Sequence, residues 1–101
     1  MSAKELKSIL KKLENPEQAQ IYLRFFKTGK GEYGEGDKFL GIKVPVLRQI
    51  SKKFKDLLLI GIQELLDSQI HEERMIGLFI LVEQFRKADE DQKKSYLLAI
   101  S

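Results

Sequence analysis

The stretch that decides the fold is Met75-Ile76-Gly77-Leu78-Phe79-Ile80-Leu81-Val82, in which no residue carries a charge. Glu72 and Glu73 precede it, and negative charge suits the positive end of a helix dipole, so a helix is predicted to start between Ser68 and this pair. A helix that is apolar on nearly every side must be covered by neighbours on more than one side. We therefore expect other helices to pack against it.

Apolar residues on both sides of this stretch also recur at helical spacing. The first helix covers about residues 3–14, with its apolar stripe at Leu6, Ile9, Leu10 and Leu13. Asn15 and Pro16 then predict an N-cap and the first position of a second helix, over about 16–27. We expect that second helix to bury the following residues: Ala19, Tyr22 and Phe26, with Ile21 and Phe25 widening the face.

Three further helices complete the pattern. Pro45 opens a third helix that runs to about Lys55 and buries Leu47, Ile50 and Phe54. A fourth covers about 58–67, and a sixth starts at Asp89 and Glu90, with these apolar residues: Tyr96, Leu97, Leu98 and Ile100. Six helices joined mostly by short turns predict an all-α fold in which antiparallel helix pairs stack as an α-solenoid. No repeat is visible at a fixed period, so a compact helical bundle is the alternative.

Length and composition exclude several classes of protein. The chain has 101 residues, a net charge of +3, 43% hydrophobic residues, no cysteine and one histidine. One domain is expected, over 1–101, without a disulfide scaffold, a thiolate zinc site or a cysteine nucleophile. No 18-residue apolar run occurs and the N-terminus lacks the apolar core of a secretory signal, so we expect a soluble cytoplasmic protein with no membrane partner and no cofactor.

The last helix is still apolar at Ser101, and no Gly, Asn or Pro closes it. This pattern predicts a fragment of a longer protein, with a natural terminus that frays as the alternative. A cut solenoid leaves an uncovered apolar face, so we also expect self-association through residues 75–100.

Residues 28–43 interrupt the helical pattern. Five of the seven glycines lie here, and Gly29 to Gly34 match G-x-G-x-x-G. A dinucleotide site needs a strand before this motif and a helix after it, whereas here a helix precedes it and nearby acids would repel a pyrophosphate. A flexible or DNA-facing loop is the favoured interpretation. Phe39, Leu40 and Ile42 are expected to pin the end of the loop to the core.

Acidic residues and the single histidine offer little catalytic chemistry. His71-Glu72 begins like a zinc-protease helix, but no second histidine exists to complete a zinc site, so we expect His71 to be a solvent-exposed residue at a helix start. Adjacent carboxylates, as in Glu72/Glu73 and Glu90/Asp91, point about 100° apart on a helix and do not converge on one atom. Charge at a helix start explains these pairs more simply.

Basic residues are concentrated in the first half of the chain. Residues 1–55 hold thirteen Lys and Arg against six Asp and Glu, or +7, whereas residues 56–101 hold five against nine, or −4. Residues 43–55 contain five cations and no acid: Lys43, Arg48, Lys52, Lys53 and Lys55. Lys27 and Lys30 approach from the end of the second helix. Cations along one face are what phosphate contacts require, although a simply solvated face has the same appearance.

Two segments carry a resemblance to a known family. The first is Gly31 to Arg48, which contains the Gly-rich loop, then Phe39-Leu40-Gly41-Ile42, then the helix that Pro45 opens. The second is His71-Glu72-Glu73-Arg74-Met75, which leads into the apolar helix. In these segments the chain resembles the AlkD-type DNA alkylation repair family. Taken with the helix pattern, the resemblance covers essentially the whole chain.

The resemblance implies a HEAT-like solenoid and DNA glycosylase activity that excises N3- and N7-alkylated purines from double-stranded DNA. It implies binding of the duplex backbone by a concave basic face, and chemistry from a Trp-Asp-x-Val-Asp-like segment that would fall beyond Ser101. This chain has no tryptophan, so no catalytic residue carries over. Lys43 occupies the DNA-facing position between Gly41-Ile42 and Pro45. The other DNA-binding candidates are Arg48 and Lys52, then Lys53 and Lys27.

Together these inferences predict the N-terminal portion of a DNA alkylation repair glycosylase that contributes binding to the duplex backbone. A non-enzymatic helical-repeat scaffold that binds a protein or a nucleic acid is the alternative, because solenoid folds host many functions.

Overall fold

The computed structural model describes residues 1–25 and 36–100, with the backbone alone at positions 96, 99 and 100. Within these residues the chain forms six α-helices: α1 (Ala3–Lys12), α2 (Pro16–Phe25), α3 (Val44–Lys53), α4 (Leu59–Leu66), α5 (His71–Lys87) and α6 (Glu90–Ile100). The one non-helical pairing among them is an isolated parallel bridge between Lys38 and Ile70. The predicted all-α fold is confirmed.

Side-chain caps explain where several of the helices begin. The Ser2 hydroxyl accepts a hydrogen bond from the Glu5 amide (3.1 Å), and the Asn15 side chain accepts one from the Gln18 amide (3.2 Å). Asn15 is therefore the N-cap that the sequence predicts, and Pro16 occupies the first helical position. At α6, Asp89 and Gln92 exchange reciprocal hydrogen bonds between side chain and backbone, which is a capping box.

α5 is the helix against which most of the others pack. It contacts α3, α4 and α6, while α1 packs against α4. Ile76 and Ile80 are fully buried, and the apolar core extends around them through residues of α1, α3 and α4: Leu6, Leu10, Leu47, Ile50, Ile62 and Leu65. The expected cover by more than one neighbour is confirmed. One face of α5 stays open, because Leu78 and Val82 are about half exposed (50% and 53%).

The second and third helices differ in detail from the sequence expectation. Ile21 and Phe25 do not widen the buried face of α2, since they are 51% and 80% exposed, whereas Ala19 is buried as expected. α3 ends at Lys53 rather than Lys55, because the Phe54 amide bonds to the carbonyls of Ile50 and Ser51 and the chain turns there. The expected stripe at Leu47, Ile50 and Phe54 is buried.

Short connections link α3 to α4 and α4 to α5, so these successive helices run back and forth. This arrangement fits stacked antiparallel pairs, and it fits a compact bundle equally well. No helix in the described part of the chain has the length and apolar character needed to cross a membrane.

Candidate nucleic-acid interface

A groove runs along the protein surface between α3 and α5, which pack against each other beneath it. The two helices run in the same direction, since Arg48 lies beside Phe79 and the Lys55 carbonyl, further along, accepts a hydrogen bond from Gln84 Nε2 (2.8 Å). The Arg48 guanidinium carbon stands 4.5 Å from the centroid of the Phe79 ring, which is a cation–π contact. The open residues of α5, Leu78 and Val82, form part of the groove lining.

Most charged residues along this groove are basic. The described residues that line it include five cations, Arg48, Lys52, Lys55, Arg86 and Lys87, and one acid, Glu83. Glu83 forms ion pairs with Arg86 (3.6 Å) and Lys87 (3.4 Å) on the next turn of α5. The charge along the groove is therefore +5 and −1, or +4, and all five cations are solvent-exposed. Such a groove attracts an anionic ligand.

Some of the cations along the groove are also explained by their position at the C-terminal ends of helices, without any ligand. Lys52 lies in the last turn of α3, and Arg86 and Lys87 lie in the last turn of α5. Because the two helices run in the same direction, their carbonyl ends are neighbours, and cations there stabilise both helix dipoles. Arg48 lies well before the end of α3, so this explanation does not apply to it.

The structure brings only some of the predicted DNA-binding residues together. Arg48 and Lys52 line the groove. Lys43 and Lys53 are exposed but lie outside it: Lys43 is the N-cap of α3, nine residues and about 13 Å along the helix axis from Lys52. Lys27 falls outside the described residues, as do Lys30 and the G-x-G-x-x-G motif at 29–34.

A buried carboxylate holds the loop that leads into Lys43. Glu72 is only 1% exposed, and its side chain accepts hydrogen bonds from three consecutive backbone amides. Leu40 N donates to Oε1 (2.9 Å), while Gly41 N (2.9 Å) and Ile42 N (3.2 Å) donate to Oε2. Glu72 lies in the first turn of α5, as the sequence predicts, but its carboxylate is turned inward and bonded to the loop, so charge at the helix start is only part of its role.

The same loop is held from its other side by the start of α2. The Asn15 amide donates to the Leu40 carbonyl (2.7 Å), and Gly41 adopts a φ of +87° directly against this segment. A Cβ at Gly41 would overlap the Asn15 carbonyl oxygen and lie 2.7 Å from the Ala19 nitrogen. Only glycine fits this backbone conformation and this close approach.

Further contacts join residues 37 and 38 to the connection between α4 and α5. Lys38 N donates to the Gln69 carbonyl (3.1 Å), and His71 N donates to the Lys38 carbonyl (2.8 Å). Arg74 bonds to the Asp37 carboxylate and to the Ser68 carbonyl, both at 2.9 Å. Residues 36–43 therefore form an ordered segment, and the expected pinning is confirmed, with Leu40 and Ile42 buried and Phe39 partly buried.

Comparison with known families decides the membership of the chain. The family model described as DNA alkylation repair enzyme matches residues 6–100. The chain belongs to the DNA alkylation repair enzyme family. No curated protein and no solved structure matches it with significance. This membership associates the chain with DNA alkylation repair and confirms the AlkD-type resemblance. Both the groove and the loop that Glu72 holds lie inside the matched residues.

His71 of this family member is not the exposed residue that the sequence predicts. It is partly buried, and its ring lies 4.9 Å from that of Phe39, which in turn contacts the Tyr22 ring at 5.9 Å. Desolvation by burial, together with the Arg74 charge, lowers the pKa of His71 below its usual 6.5, while Glu72 and Asp37 oppose the shift. The ring packs in this cluster because the loop crosses the start of α5.

The other residues of the two predicted acidic pairs are Glu73, Glu90 and Asp91, and each has a structural explanation. Glu73 is buried, and its carboxylate pairs with Lys7 of α1 at 3.7 Å. Glu90 and Asp91 are exposed in the first turn of α6, as expected for helix-start charge. Within residues 1–25 and 36–100, no group of three His, Cys, Asp or Glu side chains is placed to hold a metal ion.

Sequence reasoning missed two features of this site. Arg86 and Lys87 belong to the acidic half of the chain, so a count of charge by halves hides them, yet α5 brings them beside the cations of α3. The role of Glu72 also has no local sequence signal, because its three donors lie 30 to 32 residues earlier.

Proposed function

We propose that this chain binds the backbone of double-stranded DNA along the groove between α3 and α5. We further propose that it does so as the N-terminal helical-repeat part of a longer DNA glycosylase, one that excises N3- and N7-alkylated purines. The observation that carries the first proposal is the exposed row of five cations over an apolar floor. Family membership supports the second.

Electrostatics favours a phosphate backbone as the ligand of this groove. Each phosphate that a cation neutralises releases condensed counterions, so many exposed cations on one face give strong, salt-dependent binding without base recognition. The groove carries a net charge of +4. At about −0.9 for each phosphate contact, this surface alone gives a slope of log K against log salt no steeper than about −3.6. Half-exposed Leu78 and Val82 offer apolar contact to the sugars.

Lys43 extends the proposed interface beyond the groove. It is exposed at the N-terminal end of α3, while Arg48 and Lys52 follow on the same helix. A duplex that lies along α3 would meet Lys43 at one end and the groove at the other. Lys53 and Lys27 remain candidates of the same proposal, with no contact to the groove described for either.

The excision step is proposed for the whole protein and not for these residues. The AlkD-type resemblance assigns the chemistry to a Trp-Asp segment, and no tryptophan occurs in the 101 residues. The full-length protein should release 3-methyladenine or 7-methylguanine from alkylated duplex DNA. A protein that binds such DNA but releases neither base would contradict the glycosylase proposal while leaving backbone binding intact.

Binding is tested with the chain itself and a short unmodified duplex at low salt. Reversing two charges in Lys43→Glu/Arg48→Glu should weaken binding at least tenfold, because two phosphate contacts are replaced by repulsion. The matched control reverses two exposed lysines of α1, Lys4→Glu/Lys12→Glu, and so changes the net charge equally. Equal weakening by both variants would show that binding depends on overall charge and not on this face.

The open apolar surface supports a second candidate, self-association through residues 75–100. Leu78 and Val82 on α5 are half exposed, and Leu98 on α6 is 78% exposed. Leu78 and Val82 lie one turn apart on α5, and exposed apolar surface of this kind is a feature of interaction sites. Sedimentation should show a mass that rises with concentration, and Val82→Lys should return it to that of the monomer. A monomer mass across the whole range would contradict this proposal.

A further inference from the structure

We propose that Glu72 is a positioning residue for DNA binding: its buried carboxylate fixes residues 40–42 in the free protein and thereby presents Lys43 at the start of α3. The proposal rests on the proposed function, since it gives Lys43 a phosphate to contact.

The carboxylate of Glu72 accepts hydrogen bonds from the backbone amides of the three residues directly before Lys43. A carboxylate has about four acceptor positions, and three of them here receive the amides of Leu40, Gly41 and Ile42. Such bonds to an ionised acceptor are stronger than those between neutral groups. Without the carboxylate these buried amides would lose their partner, so the segment would move to regain hydrogen bonds from water.

This anchor reaches Lys43 through one peptide unit. The Ile42 amide is held by Glu72, and the Lys43 carbonyl accepts hydrogen bonds from Val46 N (3.1 Å) and Leu47 N (3.2 Å), the first bonds of α3. The backbone of Lys43 is therefore restrained on both sides, while its side chain is exposed. A cation whose backbone is already placed loses less conformational freedom on binding than one on a moving loop.

Glu73 provides a matched control at the adjacent position. It is also a buried glutamate in the first turn of α5, but its carboxylate faces Lys7 of α1 instead of the loop amides. Glu72→Gln and Glu73→Gln make the same chemical change at similar burial. The glutamine in place of Glu72 retains one acceptor oxygen and turns an NH2 group toward an amide donor, so at least one loop bond is lost.

Amide hydrogen exchange without DNA tests the anchor itself. In the unmodified chain the amides of Leu40, Gly41 and Ile42 should exchange as slowly as amides in the middle of α3. Exchange at the rate of an unstructured peptide would overturn the proposal, whatever the DNA-binding result. Glu72→Gln should lose protection at one or more of these three amides, and Glu73→Gln should keep protection at all three. If Glu72→Gln does not fold, Glu72→Asp replaces it in both measurements.

A double-mutant cycle then tests the positioning. At about 50 mM salt, Lys43→Gln should weaken duplex binding about tenfold in the unmodified chain and in Glu73→Gln, the loss of one phosphate contact. In Glu72→Gln the same change should weaken binding less than about twofold, whereas Lys52→Gln should have an equal effect in all three backgrounds. If Lys43→Gln weakens duplex binding by the same factor with and without Glu72→Gln, the proposal is overturned.

The cycle also separates the two possible failures. If Lys52→Gln weakens binding and Lys43→Gln does not, the positioning role fails and the proposed groove function stands. If the unmodified chain does not bind duplex DNA, the proposed function fails and takes the positioning role with it, while the exchange measurement still decides whether the anchor exists.

Discussion

Replacing Gly41 with alanine tests the close packing between the anchored loop and the start of α2. At a φ of +87° an L-residue is strained, and the new methyl carbon would overlap the Asn15 carbonyl oxygen and crowd the Ala19 nitrogen. Both neighbours are backbone atoms, so neither moves by a change of side-chain rotamer. The loop and α2 would have to separate, and the hydrogen bond from Asn15 N to the Leu40 carbonyl would lengthen.

The magnitude follows from three contributions. Positive φ costs a non-glycine residue about 1–2 kcal/mol, and reduced freedom of the unfolded chain returns about 0.4–1 kcal/mol. Separating the two segments adds about 1 kcal/mol for each hydrogen bond that is lost, and more for a buried group left without a partner. With the one hydrogen bond from Asn15 N weakened, we expect Gly41→Ala to lower the free energy of unfolding by about 2–3 kcal/mol, a large share of the ~5–15 kcal/mol typical of a domain.

Gly36 is the internal control for this experiment. Its φ of +83° is nearly the same, but a Cβ there has nothing within 4 Å. Gly36→Ala therefore carries the strain without the overlap, and should cost about 1 kcal/mol or less. Urea denaturation followed by circular dichroism measures both variants, and equal losses of stability would refute the close approach of Gly41 to α2.

Three further changes give distinct expected outcomes. Phe79→Leu removes the ring that restrains Arg48 in the free protein, so this side chain loses more freedom on binding, and duplex binding measured by fluorescence anisotropy should weaken about two- to fivefold. The lowered pKa of His71 means that the unfolded state binds a proton first as the pH falls below 6.5, so the free energy of unfolding should decrease there, and His71→Phe should remove that part of the pH dependence. Glu83→Gln frees its two cation partners and should steepen the salt dependence of DNA binding by up to about 0.9, whereas an unchanged slope would exclude them from the interface.

Periodic patterns in the sequence were sufficient to predict the helices. The stripe at Leu47, Ile50 and Phe54 and the cap at Asn15-Pro16 depend on residues within one or two turns, so local sequence contains them. The prediction that Ile21 and Phe25 are buried is wrong for the opposite reason. Their burial depends on whether another element covers that side of α2, which apolar character alone does not determine.

The candidate site was predictable only where one helix carries it. Arg48 and Lys52 share a face of α3, and their spacing placed them together. Lys53 belongs to the same basic run but lies outside the groove, because a run along the sequence winds around the helix, and Lys43 lies about 13 Å further along the helix axis, beyond one end of the groove. Arg86 joins the groove because α5 packs beside α3, and Glu72 holds the loop because the loop crosses the start of α5. Both roles depend on contacts between elements that are distant in sequence, so no local sequence pattern predicts them.

The slope of log K against log salt for a short duplex measures the central claim most directly, in the unmodified chain and in two variants of equal charge. Arg48→Gln/Lys52→Gln removes two cations of the groove, and Lys4→Gln/Lys12→Gln removes two from α1, so each variant changes the net charge from +3 to +1. The slope of the groove variant should become shallower by about 1.8, at about 0.9 for each phosphate contact that is lost. The α1 variant should retain the original slope. Equal slopes for the two variants would contradict DNA binding by the groove between α3 and α5.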